Sequence, residues 1–313
     1  MANRIKEKYM AGKRYFDYPM LFLVIFLICF GLVMIYSTSS YKSTVTYGNS
    51  YHWLLRQAVA IVLGAVAMVV CCKLDYRIIK SEKFGNGCYW ASIVLLVLVL
   101  IIGAAKKGAV RWISIAGFQF QPSEVSKILV VIYLANRLSA NAHKIRTFKD
   151  SIVIVLPTVP IIALIVTQNL STALVVCSMI GVMLFVVSPK MKELMLTAGG
   201  GIILLFVYLL TANSYRNERV QIWLHPESHK KGFQTMQALY AIGSGGIFGK
   251  GLGQSMQKMG FIPESHNDMI FSIICEELGL FGAVCLILVF VALIFRMLLI
   301  ALNTEDLFGS LVV

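Results

Sequence analysis

Acidic side chains are the scarcest chemistry in this sequence: 15 Asp and Glu stand against 28 Lys and Arg, and charged residues of every kind make up only 14% of the chain. With 58% of the residues hydrophobic and a mean hydropathy of +0.79, a soluble globule, whose apolar share is roughly 45–50%, is excluded. Metal-ligand spacing and CxxC pairs are missing as well. The seven cysteines, Cys29, Cys71, Cys72, Cys88, Cys177, Cys275 and Cys285, fall in or beside apolar runs and read as small hydrophobes. No internal repeat, low-complexity tract or linker separates a soluble part, so residues 1–313 are expected to form a single membrane domain.

What is present is a series of apolar runs. A spanning helix needs about 20 mostly apolar residues, and eight candidates occur, near 18–38, 53–72, 88–104, 123–138, 151–168, 170–188, 193–211 and 269–299. The run from about Tyr18 to Thr38 is too long for a signal-peptide core and lacks an Ala-x-Ala exit, so it is expected to stay as the first span. The expected fold class is all-α, a polytopic transmembrane helix bundle.

The formal charge of +13 suits nucleic acid, anionic lipid or membrane topology, and its distribution decides. With a cytoplasmic N-terminus, the inner segments collect Arg4, Lys6, Lys8, Lys13 and Arg14, then Lys73, Arg77, Lys80 and Lys83, then Arg137, Lys144, Arg146 and Lys149, then Lys190, Lys192 and Arg296. This is the positive-inside pattern, and it leaves no reason to invoke nucleic acid. The short outer loops hold little basic charge apart from Lys106, Lys107 and Arg111, and the other outer cluster lies in a long polar loop, 212–268, expected on the extracellular side.

Acids on that outer side reduce to Glu124, Glu218, Glu227, Glu264 and Asp268, with Glu276 and Glu277 just inside the last span. Asp268 stands near the start of that span, with Ser272 and Glu276 at i+4 and i+8 on nearly the same face. Acids in membrane helices usually face a cavity and serve a function; the structural alternative is a helix N-cap. The glycines of Gly243–Gly246 and Gly249–Gly253 either bring backbone amides to a phosphate or form an irregular segment packed on the helices. A Walker loop is excluded by the spacing, by Gly251 after the Lys, and by the lack of a preceding strand.

A second polar cluster runs from Lys106, Lys107, Arg111 and Trp112 to Gln121-Pro122-Ser123-Glu124 and Lys127. Pro122 and Ser123 suit a helix start. Lys127, one turn inside a span, must snorkel or pair, and Glu124 at i−3 is available. His225, His229 and His266 invite a metal site, but Pro226 breaks the helical spacing. Arg216, Arg219, Lys230, Lys231, Lys250 and Lys258 either form solvated faces or meet an anionic head group.

Taken in order, these stretches resemble the SEDS family of shape, elongation, division and sporulation proteins (FtsW/RodA/SpoVE). The resemblance rests on Gly108-Ala109-Val110-Arg111-Trp112-Ile113, Gln121-Pro122-Ser123-Glu124 with Lys127, Gly232-Phe233-Gln234 with Gln237, Ala241-Ile242-Gly243-Ser244-Gly245-Gly246, Gly251-Leu252-Gly253 with Ser255-Met256-Gln257-Lys258, Pro263-Glu264-Ser265-His266-Asn267-Asp268 and Glu276-Glu277-Leu278-Gly279. It implies a peptidoglycan glycosyltransferase with ten spans, in which Asp268 is the catalytic residue. The implied reaction is on the outer face of the plasma membrane: the 4-hydroxyl of a lipid II head group attacks the anomeric carbon of a strand held on undecaprenyl pyrophosphate.

Such a reaction asks for a carboxylate to take the hydroxyl proton and for cations or amides to steady the departing pyrophosphate. The resemblance gives the first role to Asp268 and the second to Arg111, Lys127, Arg216, Arg219 and Lys258. Gln121, Ser123, Glu124, Gln234, Ser244, Glu264 and His266 are the further substrate-binding positions it implies. A class B penicillin-binding transpeptidase and other division or elongation machinery are the implied partners. No cofactor is evident, and a divalent cation would suit the leaving group without an evident ligand set.

The chain departs from the family pattern at three places. It has Val110-Arg111 where two arginines are common, and Gln168-Asn169-Leu170-Ser171-Thr172 where Pro-Asp-Leu-Gly-Thr is usual, so Asn169 removes an outer carboxylate. It also stops at Val313, where a ninth span is expected to start. Asp306-Leu307-Phe308-Gly309-Ser310 leans toward the division and sporulation branch. A lipid II flippase and an inactive scaffold for a partner transpeptidase are the alternatives. Transport predicts pseudo-repeated halves and helices broken at mid-membrane, and neither is seen in the sequence.

Overall fold

The computed structural model describes residues 16–106, 109–115, 118–145, 147–188, 199, 221–228, 232–263 and 265–313. The chain divides into two compact units, Met1–Val70 with Ala212–Leu299 and Cys71–Thr211 with Ile300–Val313. Among the described residues, 6 helical stretches are long and apolar enough to cross a membrane. They are Tyr18–Tyr47 (α1), His52–Lys73 (α2), Glu82–Ile102 (α3), Lys149–Gln168, Leu170–Val187 and Ile270–Asn303. The protein is therefore a multi-pass membrane protein.

Two expected spans need comment. The 123–138 candidate is a helix, Pro122–Asn141 (α4), but Glu124, Lys127 and Arg137 make it more polar than the others. The 193–211 candidate lies outside the described residues, apart from residue 199.

Local chemistry sets the helix ends. Asp17 accepts a hydrogen bond from the Met20 amide at 2.9 Å to cap α1, and Gly48, at φ 68°, returns its amide to Thr44 O. At 30 residues, α1 is roughly 45 Å long against a hydrocarbon core of about 30 Å. Its polar third, from Ser37 to Thr46, therefore has length to spare beyond the spanning part. Lys149–Gln168 is interrupted by a 3-10 turn at Leu156–Thr158, between helix Phe148–Val155 and helix Val159–Gln168 (α5), where Pro157 and Pro160 prevent regular hydrogen bonding.

The second unit has its own core. Leu96 of α3, Leu134 and Leu138 of α4, Ile161 and Ile165 of α5, and Val176 of Leu170–Val187 (α6) form one buried cluster that Phe308 and Leu311 complete. A Cβ added to Gly85 would sit 3.0 Å from the Asn136 side chain, whose amide donates to Ile79 O at 2.8 Å. The close approach of α3 to α4 thus sits beside a hydrogen bond from α4 to the short helix Tyr76–Ile79, the kind of contact that supports helix association where lipid tails are as apolar as leucine.

One element departs from the all-helical expectation. Ala104–Lys106 (β1), Ala109–Ile115 (β2) and Phe118–Phe120 (β3) pair antiparallel in that order, with Lys106 opposite Ala109 and Ile113 opposite Phe120. The polar cluster before α4 is thus a small meander. In Arg111–Ile115 the apolar Trp112 and Ile113 are adjacent, so the strict alternation that signals a strand is missing.

The first unit holds two smaller buried clusters among the described residues. Met34 of α1 meets Ile274 and Leu286 of Ile270–Asn303. Ala238 and Ala241 of the helix Phe233–Ser244 (α7) meet Ile262 and Ile273. The helix Ile270–Asn303 (α8) is broken at Gly279, whose φ of 67° and ψ of −170° are not helical.

Candidate active site

The break in α8 organises the site. A continuous helix would donate the amides of Leu280 and Phe281 to the carbonyls of Glu276 and Glu277. Instead Leu280 N donates to Gly246 O at 2.9 Å and Phe281 N to Ile247 O at 3.0 Å. The freed carbonyls of Glu276 and Glu277 accept from the amides of Lys250 and Gly251, both at 2.9 Å. The glycine-rich segment therefore replaces the lost helical bonds one for one, as buried backbone groups require. The amides of Gly249, Lys250 and Gly251 are spent on carbonyls, so this part of the run packs on the helix as an irregular segment.

Only glycine fits this junction. A Cβ at Gly245 would lie 2.0 Å from Cys275 O, and one at Gly249 2.2 Å from Glu277 O. Gly249 and Gly279 also hold positive φ, which side-chain-bearing residues rarely adopt.

Two carboxylates below the break are fully buried. Glu276 accepts from Lys250 Nζ at 2.7 Å, from Ser255 Oγ, and from the amides of Met256 at 3.2 Å and Gln257 at 3.4 Å. Ser244, a sequence-predicted substrate contact, accepts from the same Lys250 ammonium at 2.9 Å. Glu277 accepts from Ser37 Oγ of α1, 2.7 Å from each oxygen, and from Lys258 Nζ at 2.8 Å. Lys258 also reaches Ser37 Oγ at 3.1 Å and is only 5% exposed. Buried charges are tolerated only when paired and hydrogen-bonded, and both acids meet that condition.

Asp268 stands apart from them. It is exposed, lies two residues before α8, and no hydrogen bond or ion pair reaches its carboxylate from the described residues. It does not cap the helix: Ile270 N turns to Asn267 O instead, at 3.4 Å. Its i+4 neighbour Ser272 donates to Met269 O at 2.7 Å, and its i+8 neighbour Glu276 is committed to Lys250.

The turn that carries Asp268 is fastened to α1 and α2. Ser265 Oγ donates to Thr38 O at 3.3 Å, and Lys42 Nζ to Pro263 O at 2.6 Å. His266 is buried and its ring lies 4.7 Å from that of Trp53, over which the Arg56 guanidinium sits at 5.8 Å. Lys42, Trp53 and Ser37 went unnamed in the sequence. Lys42 alone carried a signal, as a cation four residues beyond the apolar run of the first span.

Along α1 a cavity of about 560 Å³ is walled by Tyr36, Ser40, Tyr41, Leu252 and Met259, with Ser37 and Lys258 in its lining. A second, of about 380 Å³, lies between Lys42, Thr46 and Pro263. Gln234 is half-buried in the first turns of α7.

The expected contacts at Arg111, Gln121, Ser123, Glu124 and Lys127 belong to the second unit. Lys127 pairs with Glu124 at 2.8 Å, Gln121 Nε2 donates to Ser123 Oγ at 3.0 Å, and Ser123 is buried at the start of α4. The pairing foreseen at i−3 is present. Asn169 accepts from Ser171 N at 3.1 Å and so caps α6. Arg111 lies in β2, its side chain outside the described part, and Arg216, Arg219 and Glu264 lie outside the described residues. His225 pairs with Glu227 at 3.4 Å, and among the described residues no cluster of three metal-ligating side chains occurs.

The family model for the FtsW/RodA/SpoVE cell cycle proteins matches residues 18–313. The probable peptidoglycan glycosyltransferase FtsW of Geobacter metallireducens is 36% identical over 304 residues, 94% of this chain and 79% of that one. Stage V sporulation protein E of Bacillus subtilis is 35% identical over 306 residues, 95% and 82% of the two chains. Among solved structures, a chain from a study of how a peptidoglycan synthase complex coordinates polymerization and crosslinking superposes with a TM-score of 0.75 at 28% identity, covering 96% of this chain and 82% of that one. The rod shape determining protein RodA of Thermus thermophilus gives 0.65 at 26%, covering 96% and 79%.

Proposed function

The chain belongs to the FtsW/RodA/SpoVE family of cell cycle proteins, and on that premise we propose that it polymerises lipid II into glycan strands on the outer face of the bacterial plasma membrane. Its relatives are named as peptidoglycan glycosyltransferases. The observation that supports the reading for this chain is the state of Asp268: an exposed carboxylate without an ion-pair partner among the described residues, on a turn fastened by Lys42, Ser265 and His266.

A general base must be ionised, accessible and held within hydrogen-bond reach of the proton it takes. Asp268 takes the proton of the attacking 4-hydroxyl while the anomeric carbon of the growing strand loses undecaprenyl pyrophosphate. Glu276 and Glu277 cannot share that task, being buried and bound to lysines. Arg111, Lys127, Arg216 and Arg219 supply the cations for the pyrophosphate, and Gln121, Ser123, Glu124, Gln234, Ser244, Glu264 and His266 are its further substrate contacts. The loop 212–268 then faces outward and the N-terminus is cytoplasmic. A class B transpeptidase, which cross-links the strands, is the partner, together with other division or elongation proteins.

The test is polymerisation of lipid II by the purified protein with its cognate transpeptidase, wild type against Asp268→Asn. Glycan chains from the wild type and none from the variant are expected. Normal polymerisation by the variant removes Asp268 from the mechanism, and lipid II that crosses vesicles unpolymerised favours a transporter.

A further inference from the structure

The stretch that carries Asp268 is closed into a loop by its own ends. Lys258 and Glu277, 19 positions apart, meet in a buried ion pair at 2.8 Å. Both side chains also bond Ser37 Oγ, so the closure is pinned to one point on α1. The next residue along α1, Thr38, takes the hydroxyl of Ser265, and Lys42, one turn further, takes the carbonyl of Pro263. These polar ties between the Asp268 loop and α1 lie within Ser37–Lys42, and the ion pair is the one at which the loop begins and ends.

We propose that Lys258 and Glu277 form a positioning pair that fixes the Asp268 turn, and that the Lys258 ammonium does not bind the leaving pyrophosphate. This rests on the glycosyltransferase reading above and assigns Lys258 a different task within it. A cation serves a pyrophosphate in proportion to its unneutralised charge and its access. Lys258 is 5% exposed, with a fully buried carboxylate and a hydroxyl already on its Nζ. The pair instead does what a general base needs, since a displacement of about 1 Å at a reacting group can lower the rate about 100-fold.

The two roles separate in one experiment. Removing one partner leaves the other charge buried and unpaired, whereas replacing both with apolar residues of similar volume is often neutral. In the lipid II polymerisation assay, Lys258→Met is expected to lower kcat at least tenfold with KM for lipid II unchanged. Lys258→Met combined with Glu277→Leu is expected to recover kcat to within about threefold of wild type. The charge-swapped pair, Lys258→Glu with Glu277→Lys, gives an independent reading and is expected to recover as well.

A double variant that folds, by monodispersity and thermal melting, yet stays as slow as Lys258→Met overturns the proposal. So does a Lys258→Met protein whose KM rises tenfold at unchanged kcat. Wild-type protein that forms no glycan in the same assay rejects the glycosyltransferase reading itself, an outcome distinct from polymerisation by wild type without recovery in the doubles.

Discussion

Gly249 and Gly279 meet backbone against backbone: a Cβ on Gly279 would stand 2.3 Å from Gly249 N, and one on Gly249 would stand 2.6 Å from Gly279 N. The glycine-rich segment can replace the bonds lost at the α8 break only because neither residue has a side chain. Gly279→Ala adds a steric clash with backbone to the cost of a positive φ at ψ −170°, a region open essentially to glycine alone, about 1–3 kcal/mol. The variant is expected to melt at least several degrees below wild type in detergent, while Gly243→Ala, which has open space around its Cβ and an ordinary helical setting, leaves the melting temperature within about two degrees. Equal melting of the two would mean that the junction does not hold the unit together.

Much of this was legible in the residues. Apolar runs announced the spans because a bilayer imposes length and composition on a helix. Asp268 stood out because acids are few on the outer side. The break at Gly279 was not legible: apart from Glu276, Glu277 and Arg296 the run 269–299 reads as one apolar helix, and what opens it is a segment some thirty residues earlier. Nor could spacing pair Lys250 with Glu276 or Lys258 with Glu277, because those contacts depend on how the glycine-rich turn folds back. The meander at Ala104–Phe120 was hidden by its brevity, and the Ser37, Lys42 and Trp53 contacts are long-range ones that no local pattern encodes.

The Trp53 ring tests how firmly the Asp268 turn must be held. It packs on His266, and removing it leaves that buried ring with space on one face. An aromatic pair contributes about 0.5–1.5 kcal/mol beyond its burial. Trp53→Ala is expected to lower kcat for lipid II polymerisation at least fivefold, and Trp53→Phe less than twofold. Identical kcat for all three proteins would show that the turn is held without this contact.

Glu124 and Lys127 distinguish an ion pair that only supports α4 from a cation that also serves substrate. As an i, i+3 pair that is part-exposed, it stabilises by roughly 0.2–0.5 kcal/mol. The exchange Glu124→Lys with Lys127→Glu keeps the pair and is expected to leave melting unchanged within about two degrees. If Lys127 meets the pyrophosphate, polymerisation falls at least tenfold in that exchange, because the cation has moved a turn along the helix. Full activity in the swapped protein would reduce the pair to a support for the helix.

Asn169 stands where a carboxylate is usual in the family, and its observed contact explains why an amide can occupy the position. Its Oδ1 accepts from Ser171 N at 3.1 Å and caps α6, a service that Asn and Asp perform about equally well. Asn169→Asp is therefore expected to keep the cap, with melting equal to or slightly above wild type, since a negative charge at a helix N-terminus adds a further 0.3–1 kcal/mol or so. Asn169→Ala loses the acceptor and is expected to cost about 1 kcal/mol, a few degrees in melting temperature. If the carboxylate also serves the chemistry, Asn169→Asp polymerises lipid II faster than wild type while Asn169→Ala polymerises at the wild-type rate. Equal rates for Asn and Asp, with loss in Ala matching its loss of stability, would confine this position to capping.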